Sequence, residues 1–141
     1  TLQRLFERRK PMRKLYAYKK ENICPVQKFI DSLNGKIKAK FLFQLSYIMD
    51  EKNGFVEPYV KHFSMERYRK MYELRLKAAE TMIRIIFYEN DGEIVFLHAF
   101  HKRDRKDTDR GLESALKILE IIGDKNGKIP KENKKELKLY D

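Results

Sequence analysis

The sequence predicts an α+β fold, a small antiparallel sheet with helices gathered on one side. Three patterns carry that expectation. Two apolar stripes at helical spacing follow one another between residues 25 and 52. From Tyr72 onward the apolar period becomes two. A helical period returns from Asp109 to Ile122. A chain of 141 residues suits one domain with one core. Leu, Ile, Val and Phe account for 39 residues, about 28%, which clears the roughly 20% below which a charged chain tends to stay unfolded.

Residues 1–11 place Arg4, Arg8, Arg9 and Lys10 around Leu2, Leu5 and Phe6 and read as a poorly ordered extension in preference to a basic arm on nucleic acid. Met12, which follows, is a candidate native start. The domain proper is expected over 12–122 and a charged tail over 123–141. From Arg13 to Lys19, Leu15 and Ala17 alternate with Tyr16 and Tyr18, the pattern of a short strand. Pro25 opens a helix, because its fixed φ and missing N–H suit the first turn. Val26, Phe29, Ile30 and Leu33 follow at helical spacing, and Asn34-Gly35 ends the run. A second helix covers Lys36 to Lys52, with Ile37, Phe41, Gln44, Leu45 and Ile48 on one stripe and Gly54 as a left-handed stop. So short a turn makes the two an antiparallel hairpin.

The segment Phe55 to Arg69 has no clear period, and Pro58 belongs to a loop. Three strands follow. Tyr72, Leu74 and Leu76 alternate with Glu73, Arg75 and Lys77. Ile83, Ile85 and Phe87 alternate with Met82, Arg84, Ile86 and Tyr88. Val95, Leu97 and Ala99 alternate with Ile94, Phe96, His98 and Phe100. Asp91-Gly92 between the last two signals a two-residue hairpin turn, since both positions need positive φ. The last helix presents Leu112, Ala115, Leu116, Leu119 and Ile122 on one face, capped by Thr108 or Asp107. The Lys- and Glu-rich tail from Gly123 reads as solvated or loosely helical.

Lys and Arg outnumber Asp and Glu by 32 to 21, a net charge of +11 that points to polyanionic partners, RNA and DNA first. No apolar run is long enough to span a membrane, and no secretory signal is visible. One cysteine, Cys24, and three histidines give neither an internal disulfide nor a zinc-finger spacing, so the expectation is a cytoplasmic protein with no metal and no cofactor. There is no P-loop, no Gly-rich dinucleotide turn and no G-x-S-x-G elbow.

With Asp91 and Gly92 as the turn, Arg84 falls opposite Ala99 and Met82 opposite His101. Arg84, His101 and Arg103 then share one face, and His98 joins Ile83, Ile85 and Phe87 on the other as a core or semi-buried histidine. Arg84 is a lone charge inside the apolar run Met82 to Tyr88, which is costly unless paired or open to solvent. A salt bridge across the sheet to Glu73 and a concave face displaying arginines to phosphate are equally compatible with the residues alone. Phe100 to Lys106 is the densest basic cluster, leaving a strand beside a helix N-terminus. It is either a solvated loop or a phosphate seat, and His101 is its candidate for proton transfer. Lys61-His62 repeats the idea more weakly, as an ordinary surface turn would.

The stretches Tyr59-Val60-Lys61-His62-Phe63, Met71-Tyr72-Glu73-Leu74-Arg75, Ile83-Arg84-Ile85-Ile86-Phe87-Tyr88 and Phe96-Leu97-His98-Ala99-Phe100-His101-Lys102-Arg103, in this order and spacing, resemble the toxins of bacterial type II toxin–antitoxin systems. More narrowly they resemble the phage-derived, HigB-like branch of the RelE/ParE superfamily, over Met12 to Ile122. The resemblance implies a RelE-like, microbial RNase-like fold: a small antiparallel sheet packed against an N-terminal helical hairpin, with a C-terminal helix. It implies metal-independent mRNA cleavage on the ribosome and a cognate antitoxin partner. Carried onto this chain, Arg84 and Arg103 would bind the transition-state phosphate, with Arg75 and Lys102 orienting the RNA or lowering a neighbour's pKa. His101 is added from its own chemistry. The flanking cations Lys61, His62, Lys77, Arg105 and Lys106 would hold RNA. Some relatives place a tyrosine shortly after the basic pair, whereas Arg105 to Arg110 contains none, so no general base carries over. A ParE-like inhibitor of DNA gyrase and a non-catalytic RNA-binding module are the competing functions on such a fold.

Overall fold

The computed structural model describes residues 12–78, 80–124 and 128–137. The extension expected over 1–11 lies outside them. The described chain is a mixed α+β fold: β1 (Lys14–Tyr18), α1 (Pro25–Asp31), α2 (Gly35–Met49), β2 (Val60–His62), β3 (Tyr72–Ala78), β4 (Thr81–Asn90), β5 (Glu93–His101), α3 (Arg105–Ile122) and β6 (Lys134–Glu136). The six strands form one sheet in the order β2-β3-β4-β5-β1-β6.

Two features depart from the antiparallel, one-sided layout. β1 enters beside β5 and runs parallel to it. The helices also take both faces, with α1 and α2 on one and α3 on the other. The cause is visible in β4, where every residue from Ile83 to Tyr88 is buried. A strand apolar on both sides needs a layer on each. Side-chain alternation also says nothing of strand direction, so β1 could not be oriented from its pattern.

The α1/α2 face encloses a core of Ile30, Phe41, Leu45, Ile48, Leu74, Leu76, Ile83, Ile85, Phe87 and Phe96. The α3 face encloses a smaller one around Ile86, Tyr88, Val95, Leu97, Leu112 and Ala115. Pro25 opens α1 as its fixed φ predicts. Asn34 does not end α1 but caps α2, accepting a hydrogen bond from the Ile37 N–H at 3.0 Å. α3 begins four residues before the expected Asp109, because its cap is Asp104. That carboxylate accepts from the N–H groups of Lys106 (2.8 Å) and Asp107 (3.3 Å), while Asp107 accepts from those of Arg103 (2.7 Å) and Asp104 (3.0 Å). These backbone donors hold the Asp107 carboxyl below its usual range.

The β4–β5 turn is formed as expected, with Asp91 at φ 51° and Gly92 at φ 79°. The register, however, slips. Phe87 pairs with Phe96, but Ile86 pairs with His98, leaving Leu97 as an extra residue. Arg84 therefore lies opposite Phe100, not Ala99, and His101 opposite Ile83, not Met82. A bulge reverses which face every later residue takes, and counting back from the turn cannot see it.

The tail also differs from a solvated segment. Ile129 is buried in the α3-side core, and its N–H donates to the Tyr88 hydroxyl at 3.0 Å. β6 pairs with β1, and Leu137 enters the other core. Lys134 is ion-paired to Glu93 at 2.9 Å. Two apolar anchors dispersed among Lys and Glu are enough to dock a chain whose average composition looks soluble.

Candidate nucleic-acid interface

The α3 face of β3 and β4 gathers the charged residues. Directly paired residues of antiparallel strands share a face. Lys77 pairs with Met82, Arg75 with Arg84 and Glu73 with Ile86. Lys61 of β2 pairs with Glu73. The Lys102 N–H donates to the Met82 carbonyl at 2.8 Å, which continues β5 and aligns Lys102 with the same face. α3 packs on β4 and β5, Phe63, Tyr68 and Met71 join its core from the 63–71 segment, and on β3 the side chains of Arg75 (27% exposed) and Lys77 reach the surface.

At its centre are two arginines on one carboxylate. Glu73 is 1% exposed. Its Oε1 accepts from Arg75 Nε at 3.0 Å and lies 3.6 Å from Arg84 Nε. Arg84 Nη1 donates to the Ile83 carbonyl at 3.1 Å, and Nη2 lies 4.0 Å from the Met82 sulfur. Arg75 is the more open of the two, with its Nη1 4.0 Å from the exposed Glu57 carboxylate. Among the described residues, Glu73 Oε2 and Arg84 Nε have no hydrogen-bond partner. Burial lowers the Arg84 pKa from its ordinary value, with Glu73 opposing that effect. Of the two readings of Arg84, the salt bridge to Glu73 is present, while the side chain is buried and not displayed on an open face.

Phe100, opposite Arg84, closes one side. A Cβ on Gly111 would lie 2.5 Å from Phe100 Cε1, so the missing side chain lets α3 approach. His98, now on this face, stacks on Phe100 with ring centroids 5.7 Å apart, and burial lowers its pKa. Below α3, Arg67 forms a two-pronged bond to Glu113 (2.8 and 2.9 Å), which also accepts from the Tyr68 hydroxyl.

The structure thus brings together Arg75, Arg84, Lys61, Lys77 and Lys102. Arg103, Arg105 and Lys106 are exposed at the start of α3. His101 is not with them. It contacts Phe29 of α1 at 5.0 Å, on the opposite face, because of the Leu97 bulge. His62 is also turned away, stacked on Tyr72 at 4.8 Å with Nε2 2.6 Å from the Arg69 carbonyl. Glu73, His98 and Phe100 were not singled out as site residues. A lone acid between β-strand apolar residues, two positions from an arginine, was the available signal for Glu73. Among the described residues no group of three or more His, Cys, Asp or Glu is placed to hold a metal ion. Nor is any helix long and apolar enough to cross a membrane.

A basic α+β domain with a buried and a partly exposed arginine on one carboxylate, flanked by lysines, is of the kind that handles polyanions. The chain matches the family model described as Phage derived protein Gp49-like (DUF891) over residues 28–120, more than half its length. It belongs to that family, one of RelE/toxin-like proteins associated with the toxins of toxin–antitoxin systems, and membership implies an antitoxin partner. No curated protein and no solved structure matches the chain.

Proposed function

We propose that the protein is a HigB-like toxin that cleaves mRNA on the ribosome, without a metal, at the α3 face of β3 and β4. The observation that carries this reading is the Arg75–Arg84 pair held on Glu73 among Lys61, Lys77 and Lys102. In such a reaction the ribose 2′-OH attacks the adjacent phosphorus and its proton passes to a base. The bond to the 5′-oxygen breaks, and that oxygen takes a proton. The products carry a 2′,3′-cyclic phosphate and a 5′-hydroxyl. Charge builds on the non-bridging oxygens, and fixed cations in a poorly hydrated site stabilise it most.

Arg75, the more exposed of the two, with Nη1 4.0 Å from the exposed Glu57 carboxylate, contacts the phosphate. Arg84 lies behind it as a second fixed charge, and Glu73 orients both. Lys77 and Lys102 hold the flanking backbone at one end of the face and Lys61 at the other. Arg103, Arg105 and Lys106 add side-chain cations at the start of α3, whose backbone N–H groups are taken by Asp104 and Asp107. His98 is the imidazole on this face, and burial lowers its pKa, which favours the neutral form that can accept a proton.

Inducible expression in a bacterial host, with primer extension on an abundant translated mRNA, tests this. Wild type is expected to give growth arrest and new 5′ ends within the reading frame, and Arg75→Ala and Lys102→Ala to give neither. Arrest with intact mRNA would move the reading to a gyrase inhibitor, and neither arrest nor cleavage to a binding module.

A further inference from the structure

Among the described residues, the aromatic side chains exposed to solvent are Phe43, Tyr47 and Tyr59, at 79%, 39% and 46%. All three meet in one place. Phe43 and Tyr47 are i and i+4 on α2, neighbours on its outer surface. Tyr47 and Tyr59 have ring centroids 5.9 Å apart. The same exposed stripe of α2 begins with Lys36 and Lys40, and residues 35–49 contain three lysines and no acid. Basic residues at a helix N-terminus oppose its dipole, so helix stability does not explain them.

This patch is joined to the cationic face at two points. Lys40 Nζ donates to the carbonyl of Lys77. The carbonyl of Tyr59 accepts from the Arg75 N–H at 2.8 Å. The aromatic rings therefore stand just around the β2 edge from Arg75, and Lys40 and Lys77 lie one turn further along α2 and β3, on the side away from Tyr47 and Tyr59.

We propose that Phe43, Tyr47 and Tyr59 form a stacking track for single-stranded RNA that leads to or from the scissile phosphate. This rests on the reading of the sheet face as an RNA site and extends it. Flat rings accept any unpaired base on their faces, and Lys36 and Lys40, next along the same stripe of α2, take phosphates at its end. The track favours unpaired RNA over a duplex, whose bases are already stacked, and it is tolerant of sequence. Glu57, exposed beside Arg75, is the acid on the route and weakens binding there.

The test is fluorescence anisotropy with a short labelled 2′-O-methyl RNA, which cannot be cleaved by 2′-OH attack, against the full chain. Phe43→Ala, Tyr47→Ala and Tyr59→Ala are each expected to weaken binding about tenfold, the scale of one base–ring stack. Tyr47→Phe is expected to bind as wild type. The dependence of affinity on salt is unchanged in these variants, because no charge is removed, whereas Lys77→Ala lowers its slope by about 0.7. Thermal melting confirms that each variant is folded. Unaltered affinity in the three alanine variants overturns the track, as does an equal loss for a duplex of the same sequence. Loss of antitoxin binding with RNA affinity intact overturns it in favour of a protein dock. If Arg75→Ala loses RNA and the aromatic variants do not, the track fails while the sheet-face site stands. Wild-type binding that depends on the rings but leads to no mRNA cleavage supports the track and defeats the nuclease reading.

Discussion

On β3, Leu74 and Leu76 face α2, while Glu73, Arg75 and Lys77 face the α3 side. On β4, Ile83, Ile85 and Phe87 face α1 and α2, while Arg84 lies between them on the other side. One face is closed by two helices over hydrocarbon. The other is closed by α3 and the 63–71 segment and keeps a charged strip, of which Arg75 and Lys77 reach the surface. The two faces differ in what a cavity or a lost partner does. On the dry face, packing alone is at stake. On the charged face, three side chains, Glu73, Arg75 and Arg84, are held by one another, so each sets the state of the rest.

The largest expected effect separates these cases. Glu73→Leu leaves Arg84 buried without its counter-ion and is expected to cost about 3–5 kcal/mol. Denaturant titration measures it. The double variant Glu73→Leu with Arg84→Met is expected to recover most of that stability, because a buried pair is replaceable by apolar side chains, yet to show no cleavage. On the dry face, Phe87→Ala is expected to cost about 3–5 kcal/mol with no recovery by a second site. Its folded fraction should keep wild-type RNA affinity. If the double variant stays as unstable as the single one, Glu73 and Arg84 are not coupled and the comparison fails.

Gly111→Ala sharpens the contrast at the border of the charged face. The new methyl meets Phe100, which must shift, at an expected cost of about 1–3 kcal/mol. Since Phe100 lies opposite Arg84, cleavage per folded molecule is expected to fall as well, which a fixed-time cleavage assay at matched folded fraction reads. The smallest effect is on pH. Hydrogen bonds from Arg67 and Tyr68 hold the Glu113 carboxyl down at about 2, against an ordinary 4.5. A carboxyl depressed on folding stabilises above its unfolded value and loses that contribution as pH falls toward the folded one. The clasp between turn 66–68 and α3 is therefore expected to weaken between about 4.5 and about 2. Glu113→Gln should remove this part of the acid titration. The pair is exposed, so the change is small.

Much of this contrast can be read in the sequence. Period two over Tyr72 to Lys77 announces one apolar and one charged face. Arg84 inside an apolar run signals a paired or functional charge, and Asp91-Gly92 fixes a turn. The parts that cannot be read have physical causes. Leu97 as an inserted bulge residue carries no local mark, yet it exchanges His98 and His101 between faces. The direction of β1 depends on which sheet edge is free, a property of the assembled fold. Ile129 and Leu137 are isolated apolar residues in a charged segment, and their burial depends on cores built far away in the chain.

The most direct test of the charged face as a site of 2′-OH attack uses a translated mRNA bearing a single 2′-deoxy nucleotide on the 5′ side of a mapped cut. The account predicts that cleavage there stops, while the unmodified mRNA yields a 2′,3′-cyclic phosphate and a 5′-hydroxyl by mass spectrometry. Undiminished cleavage at the deoxy position, or products with a 5′-phosphate, would contradict it.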